Sequence, residues 1–177
     1  MRYMVVDVET RRSAQEVGGW HKAHDMGVSV AVLYDSASDA YFPFEQDALP
    51  EMFDLLARAE RVVGFNIISF DYAVLQGFAR FDLRSLPTLD ILVHVHRQFG
   101  RRVSLDALAN ATLGSAKSAS GMQALRWWKE GKLTEITRYC KKDVEITRDL
   151  YLHVCKHGYL CCLGKTGGQV RIPLSWA

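Results

Sequence analysis

Cysteine and proline are scarce, four of each among 177 residues, and no apolar run approaches the eighteen or so residues of a membrane-crossing helix. The cysteines, Cys140, Cys155, Cys161 and Cys162, crowd into the last quarter of the chain and form no C-x-x-C pair. That distribution suits neither an extracellular disulfide framework nor, with His153 and His157 added, a zinc-site template, so reduced thiols are expected. Strand-like sequence starts at Tyr3, leaving no room for a signal peptide, and a cytoplasmic protein without membrane contact is expected. A P-loop is missing too: Gly164-Lys165-Thr166 would need glycine at position 159, where Tyr159 stands. Repeats, low-complexity tracts and linkers are absent. A single domain over residues 1–177 is therefore expected, with 158–177 as a tail packed on it.

What is present is ordinary globular composition, 49% apolar and 24% charged. The net charge of +2 hides a division along the chain. Residues 1–96 carry 8 Lys/Arg against 14 Asp/Glu, and residues 97–148 carry 11 against 5. An acidic half able to hold cations beside a basic half able to hold phosphates suits a metal-dependent nuclease, although solvated helix faces give the same count.

The periodicities predict a strand over 3–9, a long loop over 10–23, and a hairpin of strands over 26–34 and 40–44. A helix capped by Asp47 follows, with Pro50 in its first turn, and then a strand over 61–65. Beyond Ser69 the pattern is mainly helical. One short strand over 86–89 is kept at an edge by Pro87. Helices are predicted to start at Asp90 and Ser104, the second stopping at Gly114. Two more follow, over 122–130 and 134–155. This is an α/β chain whose mixed sheet is flanked by helices.

Three places carry candidate chemistry. Asp7 and Glu9, two apart on a strand, leave the same face, and alone they equally fit an edge strand whose acids point into water. Asp71 ends the segment Gly64-Phe65-Asn66-Ile67-Ile68-Ser69-Phe70-Asp71, where an apolar strand runs into a helix start and an acid also serves as a cap. Ile136, Tyr139, Cys140, Asp143, Thr147, Leu150 and Tyr151 fall on one helical stripe, which puts Asp143 on a face that should be buried. A buried carboxylate needs a cation or hydrogen bonds.

Together Asp7-x-Glu9, Asn66-x-x-x-Phe70-Asp71 and Tyr139-x-x-x-Asp143 resemble, in order and spacing, the motifs of the DEDD 3′-to-5′ exonucleases, and the resemblance spans nearly the whole chain. Tyr139 points to the tyrosine subgroup; the histidine subgroup would carry histidine where Arg138 stands. The resemblance implies a ribonuclease H-like fold and release of nucleoside 5′-monophosphates from a nucleic acid 3′ end. DNA is favoured over RNA, and a single-stranded end over a duplex. It implies two Mg²⁺ or Mn²⁺ ions held by Asp7, Glu9, Asp71 and Asp143, with Tyr139 orienting water. Thr10, Asn66, Phe70 and Lys117 are implied substrate contacts, and Arg126, Lys129 and Lys132 are candidate phosphate contacts. A helicase or polymerase partner, or self-association, would supply targeting. The alternatives are a catalytically silent nucleic-acid-binding module and a ribonuclease H-like endonuclease.

Overall fold

Residues Tyr3–Thr10 form strand β1 at the centre of the protein, seen in a computed structural model that describes residues 1–115, 120–164 and 167–176. Val5 enters one apolar core, while Met4, Val6 and Val8 enter another on the opposite face. Period-two alternation thus builds two cores from one strand, each fully buried side chain contributing about 1.5–3 kcal/mol. Strand β2 (Val28–Asp35) is buried throughout and runs antiparallel to β1. β3 (Ala40–Phe44) completes the predicted hairpin, whereas β4 (Arg61–Gly64) and β5 (Thr88–Asp90) run parallel to β1. The sheet order is β3-β2-β1-β4-β5, mixed and five-stranded as expected.

Helices cover both faces. α1 (Ala14–Val17) is a single turn beyond β1; α2 (Leu49–Leu56) and α3 (Asp71–Leu75) pack on the Met4/Val6/Val8 side. On the Val5 side lie α4 (Ile91–Phe99), α5 (Leu105–Leu113) and the 25-residue α7 (Leu133–His157). α6 (Gly121–Lys129) precedes α7. The whole predicted stripe of α7, Ile136 through Tyr151, is buried. The predicted caps Asp90 and Ser104 accept N–H bonds from the first turns of α4 and α5, and Gly114 ends α5 in the left-handed conformation.

Two expectations are corrected. The stretch read as a loop over 10–23 contains α1 and a 3₁₀ turn at Trp20–Asp25, because Ser13 and Glu16 form a reciprocal capping box. Asp47 does not cap α2; it lies in a 3₁₀ turn at Gln46–Ala48, and the helix starts from Ala48 with no side-chain cap. The tail expected to pack on the domain carries two strands that the sequence reading did not name. Gly158 ends α7, and β6 (Tyr159–Leu163) pairs with β7 (Gln169–Pro173), burying Leu160, Cys162 and Ile172 in the Val5-side core.

One local feature positions everything that follows. Pairing between β1 and β4 stops at Val5↔Val63, while β1 stays paired with β2 as far as Thr10. The sheet therefore forks, and the chain turns away sharply after Gly64. A Cβ placed on Gly64 would lie 2.5 Å from Ile67 Cβ, so a larger residue would force the tight turn to shift.

Candidate active site

Asp7 and Glu9 project from β1 toward α7, half-buried, and α7 delivers the buried Asp143 to meet them. One carboxylate oxygen from each lies within 4.8 Å of the others. Two carboxylates at such a separation repel by roughly 3–4 kcal/mol at an effective dielectric near 20. A trio of hard oxygen donors at this spacing fits Mg²⁺ or Mn²⁺ and offers no thiolate or imidazole to a softer metal.

Two α7 side chains line the trio. Tyr139 is buried, and its hydroxyl is pushed far above the usual phenol range by burial, then by the charges of Asp143, Glu9 and Asp7, and by a hydrogen bond with Asp143. It keeps its proton at neutral pH. Cys140, buried one residue later, donates its thiol to the Asp7 carbonyl oxygen at 3.3 Å and to Asp7 Oδ2 at 3.4 Å. Burial and the neighbouring acids push that thiol well up, so it remains a donor. The indole of Trp127 on α6 packs edge-on against Tyr139, with centroids 6.3 Å apart.

Asp71 stands outside the set of three. It is the first residue of α3 and fills the fork between β1 and β4, where its Oδ1 accepts the Val8 N–H at 3.1 Å. Burial, then the charge of Asp7, raises its pKa well above the ordinary carboxylate range; backbone N–H groups offset only part of this. Asp71 thus shares an electrostatic environment with Asp7.

The predicted substrate contacts divide. Thr10 is buried, and its hydroxyl donates to the Arg12 carbonyl at 2.9 Å, which shapes the turn after β1. Asn66 adopts φ +63°, its N–H bonds Asp90 Oδ1 at 2.9 Å, and its side-chain oxygen accepts Arg102 Nη2 at 2.8 Å. Phe70 is half-buried and packs edge-on with Trp20. Lys117 lies outside the described residues. Among the candidate phosphate contacts, Lys129 pairs with Glu16 at 2.7 Å, Lys132 pairs with Glu130 at 2.6 Å, and Arg126 is exposed on α6.

A cavity of about 440 Å³ opens over the acids, lined by Asp7, Asp143, Phe65, Asn66, Arg102 and Ser104. Arg102 was not legible in the sequence, since it belongs to no motif and reaches the cavity only through the loop between α4 and α5. Asp90 was read as a helix cap, and nothing in its spacing shows that it also gathers the turn after β4. Cys140 was placed on the stripe but not on Asp7.

Comparison with known proteins places the fold. A family model described as "RNase_H superfamily" matches residues 15–155, most of the chain, starting beyond Asp7 and Glu9. Among solved structures, the family B DNA polymerase from the hyperthermophilic archaeon Pyrobaculum calidifontis superposes with a TM-score of 0.68 at 15% identity. The match covers 88% of this chain and 24% of the polymerase, so this chain corresponds to about a quarter of that protein, and the likeness is one of fold. No curated protein matches the sequence. Among the described residues, no helix is long and apolar enough to cross a membrane.

Proposed function

From the premise that the chain belongs to the RNase_H superfamily and carries its helix-flanked mixed sheet, we propose that it is a divalent-metal-dependent 3′-to-5′ exonuclease of the DEDD class, tyrosine subgroup. The observation that carries this reading is the meeting of Asp7, Glu9 and Asp143 within 4.8 Å, with the Tyr139 hydroxyl hydrogen-bonded to Asp143. Asp7, Glu9 and Asp143 would hold one Mg²⁺ or Mn²⁺ ion, and Asp71 with Asp7 would hold a second. Bound there, the ions supply Lewis acidity, lowering the pKa of water and offsetting charge on the phosphate.

The protein's own groups do the rest. Tyr139, locked in its protonated form with its O–H on Asp143, offers its hydroxyl oxygen as the acceptor that orients the attacking water and does not remove its proton. The Cys140 thiol fixes the Asp7 carboxylate from behind. Asn66 and Arg102 form the cationic wall of the cavity that faces the acids, where a phosphodiester is drawn in. The substrate is the 3′ end of a nucleic acid, with single-stranded DNA favoured, and the products are nucleoside 5′-monophosphates. Targeting through a polymerase or helicase partner, or through self-association, belongs to the same reading.

The test is a time course on a 5′-labelled single strand with Mg²⁺ or Mn²⁺. A ladder shortening from the 3′ end, with Asp143→Asn inactive and a circular single strand intact, is expected. Cutting of the circle would make the protein an endonuclease. Binding without shortening at any metal concentration would make it a silent binding module.

A further inference from the structure

Away from the three acids, the segment following β1 presents a tryptophan to solvent on a well-braced loop. Trp20 is 71% exposed. The loop is held by the Ser13–Glu16 capping box, the left-handed Gly18, the Glu16–Lys129 ion pair and a hydrogen bond from Arg12 to the Asp25 carbonyl. Arg11 also stacks over Trp128, 4.7 Å from the ring centroid. A large apolar ring left in water by so many restraints fits a stacking role.

Trp20 touches Phe70, with ring centroids 6.0 Å apart, and Phe70 immediately precedes Asp71. Phe70, Ala73 and Gly77 fall on one side of α3 and the turn that continues it, about 10 Å of helix. The 3₁₀ turn runs along that side. Trp20 meets Phe70 at the end near the fork, and His24 crosses so close to Gly77 that an added Cβ would lie 3.3 Å from it. Beyond this crossing opens a cavity of about 820 Å³, lined by Tyr72, Phe81, His24, Arg80 and Arg84. Asp82 and Asp25 are the acids nearby. Asp82 is turned to the Arg84 backbone N–H at 2.9 Å, and Asp25 lies 3.6 Å from His24. Arg80 and Arg84 are exposed on the cavity rim.

An exposed ring on a half-buried one at one end of this side, with guanidinium groups on the cavity at the other, is what a single strand needs: a face on which any base stacks, and cations that track its phosphates. Resting on the exonuclease reading, we propose that the strand upstream of the scissile end crosses the Trp20–Phe70 pair and lays its backbone in the groove of His24, Arg80 and Arg84. Trp20 is then a positioning residue, and the groove selects single strands, because stacking on Trp20 and Phe70 requires unpaired bases.

The proposal is tested without turnover, by fluorescence anisotropy of labelled oligonucleotides in EDTA. The parent protein is expected to bind a deoxythymidine hexamer much more tightly than the dinucleotide. Trp20→Ala should remove about tenfold of that gain, and Trp20→Phe should restore most of it. Arg80→Ala with Arg84→Ala should lower the slope of log affinity against log salt by about 0.7 per cation removed. A Trp20→Ala protein with the parent's length dependence overturns the proposal, as does an unchanged salt slope in the double variant. An inactive parent with the expected length dependence sinks the exonuclease reading and leaves the groove standing, whereas an active parent with no Trp20 effect does the reverse.

Discussion

Two successive strand-to-helix turns each bury an aspartate, and the two residues are handled in opposite ways. Asp90, between β5 and α4, and Asp71, at the start of α3 after β4, are both 2% exposed. Asp90 receives four backbone N–H groups, from Asn66, Ile68, Leu92 and Val93. Asp71 receives Val8 N–H and its own, and it faces the charge of Asp7 besides. A buried carboxylate surrounded by N–H donors has its hydrogen-bonding capacity met and serves as framework. One that is half-provided and beside another acid is held as an anion only at a cost, which a cation bound there would offset. Asp35 shows a third solution: it is buried, bridged by Arg2 at 2.6 and 3.0 Å, and held below the usual carboxylate range by that contact.

The largest expected effect of breaking this contrast is at Asp71. Asp71→Asn should lower metal-dependent hydrolysis by about a hundredfold to a thousandfold. The same variant should melt higher than the parent in EDTA at neutral pH. Burial raises the folded pKa above the unfolded one, so the native state loses stability as pH rises past the ordinary carboxylate range, and an amide has no such loss. A lower melting temperature for Asp71→Asn in EDTA would make Asp71 framework like Asp90. Asp90→Ala should do the opposite, costing about 3 kcal/mol or more in urea unfolding as its N–H donors lose their acceptor.

Gly64→Ala comes next. The 2.5 Å approach to Ile67 should cost about 1–3 kcal/mol and shift Asp71 relative to Asp7, visible as a higher metal requirement in a titration of activity. The smallest effect is expected at Asp35. Arg2→Ala should lower stability only slightly at neutral pH, since Arg2 is partly exposed and the pair is screened. Because the folded pKa of Asp35 is depressed, that contribution is present above its unfolded value near 4 and fades as pH falls through the folded one. Urea melts of parent and variant should converge in acid.

Much of this was legible beforehand, for identifiable reasons. The α7 stripe announced a buried Asp143 because helical period and polarity disagreed at that residue. The Asp7/Glu9 face followed from strand alternation. Caps at Asp90 and Ser104 are local chemistry and read locally. The β6–β7 hairpin was missed because its two strands are short and follow a helix whose apolar period runs to its last turn. Ser13 and Glu16 did spell a capping box, but the polar, glycine-containing stretch around them lacks the apolar face that makes a helix visible. The second task of Asp90, the reach of Arg102 and the pairing of Trp20 with Phe70 are contacts between segments tens of residues apart in sequence, with no periodicity to betray them.

The fork between β1 and β4 has an evolutionary corollary. Asp7, Glu9 and Asp143 ride on elements locked together by the Val5-side core, but Asp71 hangs from the point where two ribbons unzip. One residue gained or lost in β4 would move that branch point and carry Asp71 away from Asp7, while the other three acids kept their spacing. On the proposed two-ion reading, an insertion alone would therefore change how many ions such a fold retains, with every acidic letter still in place.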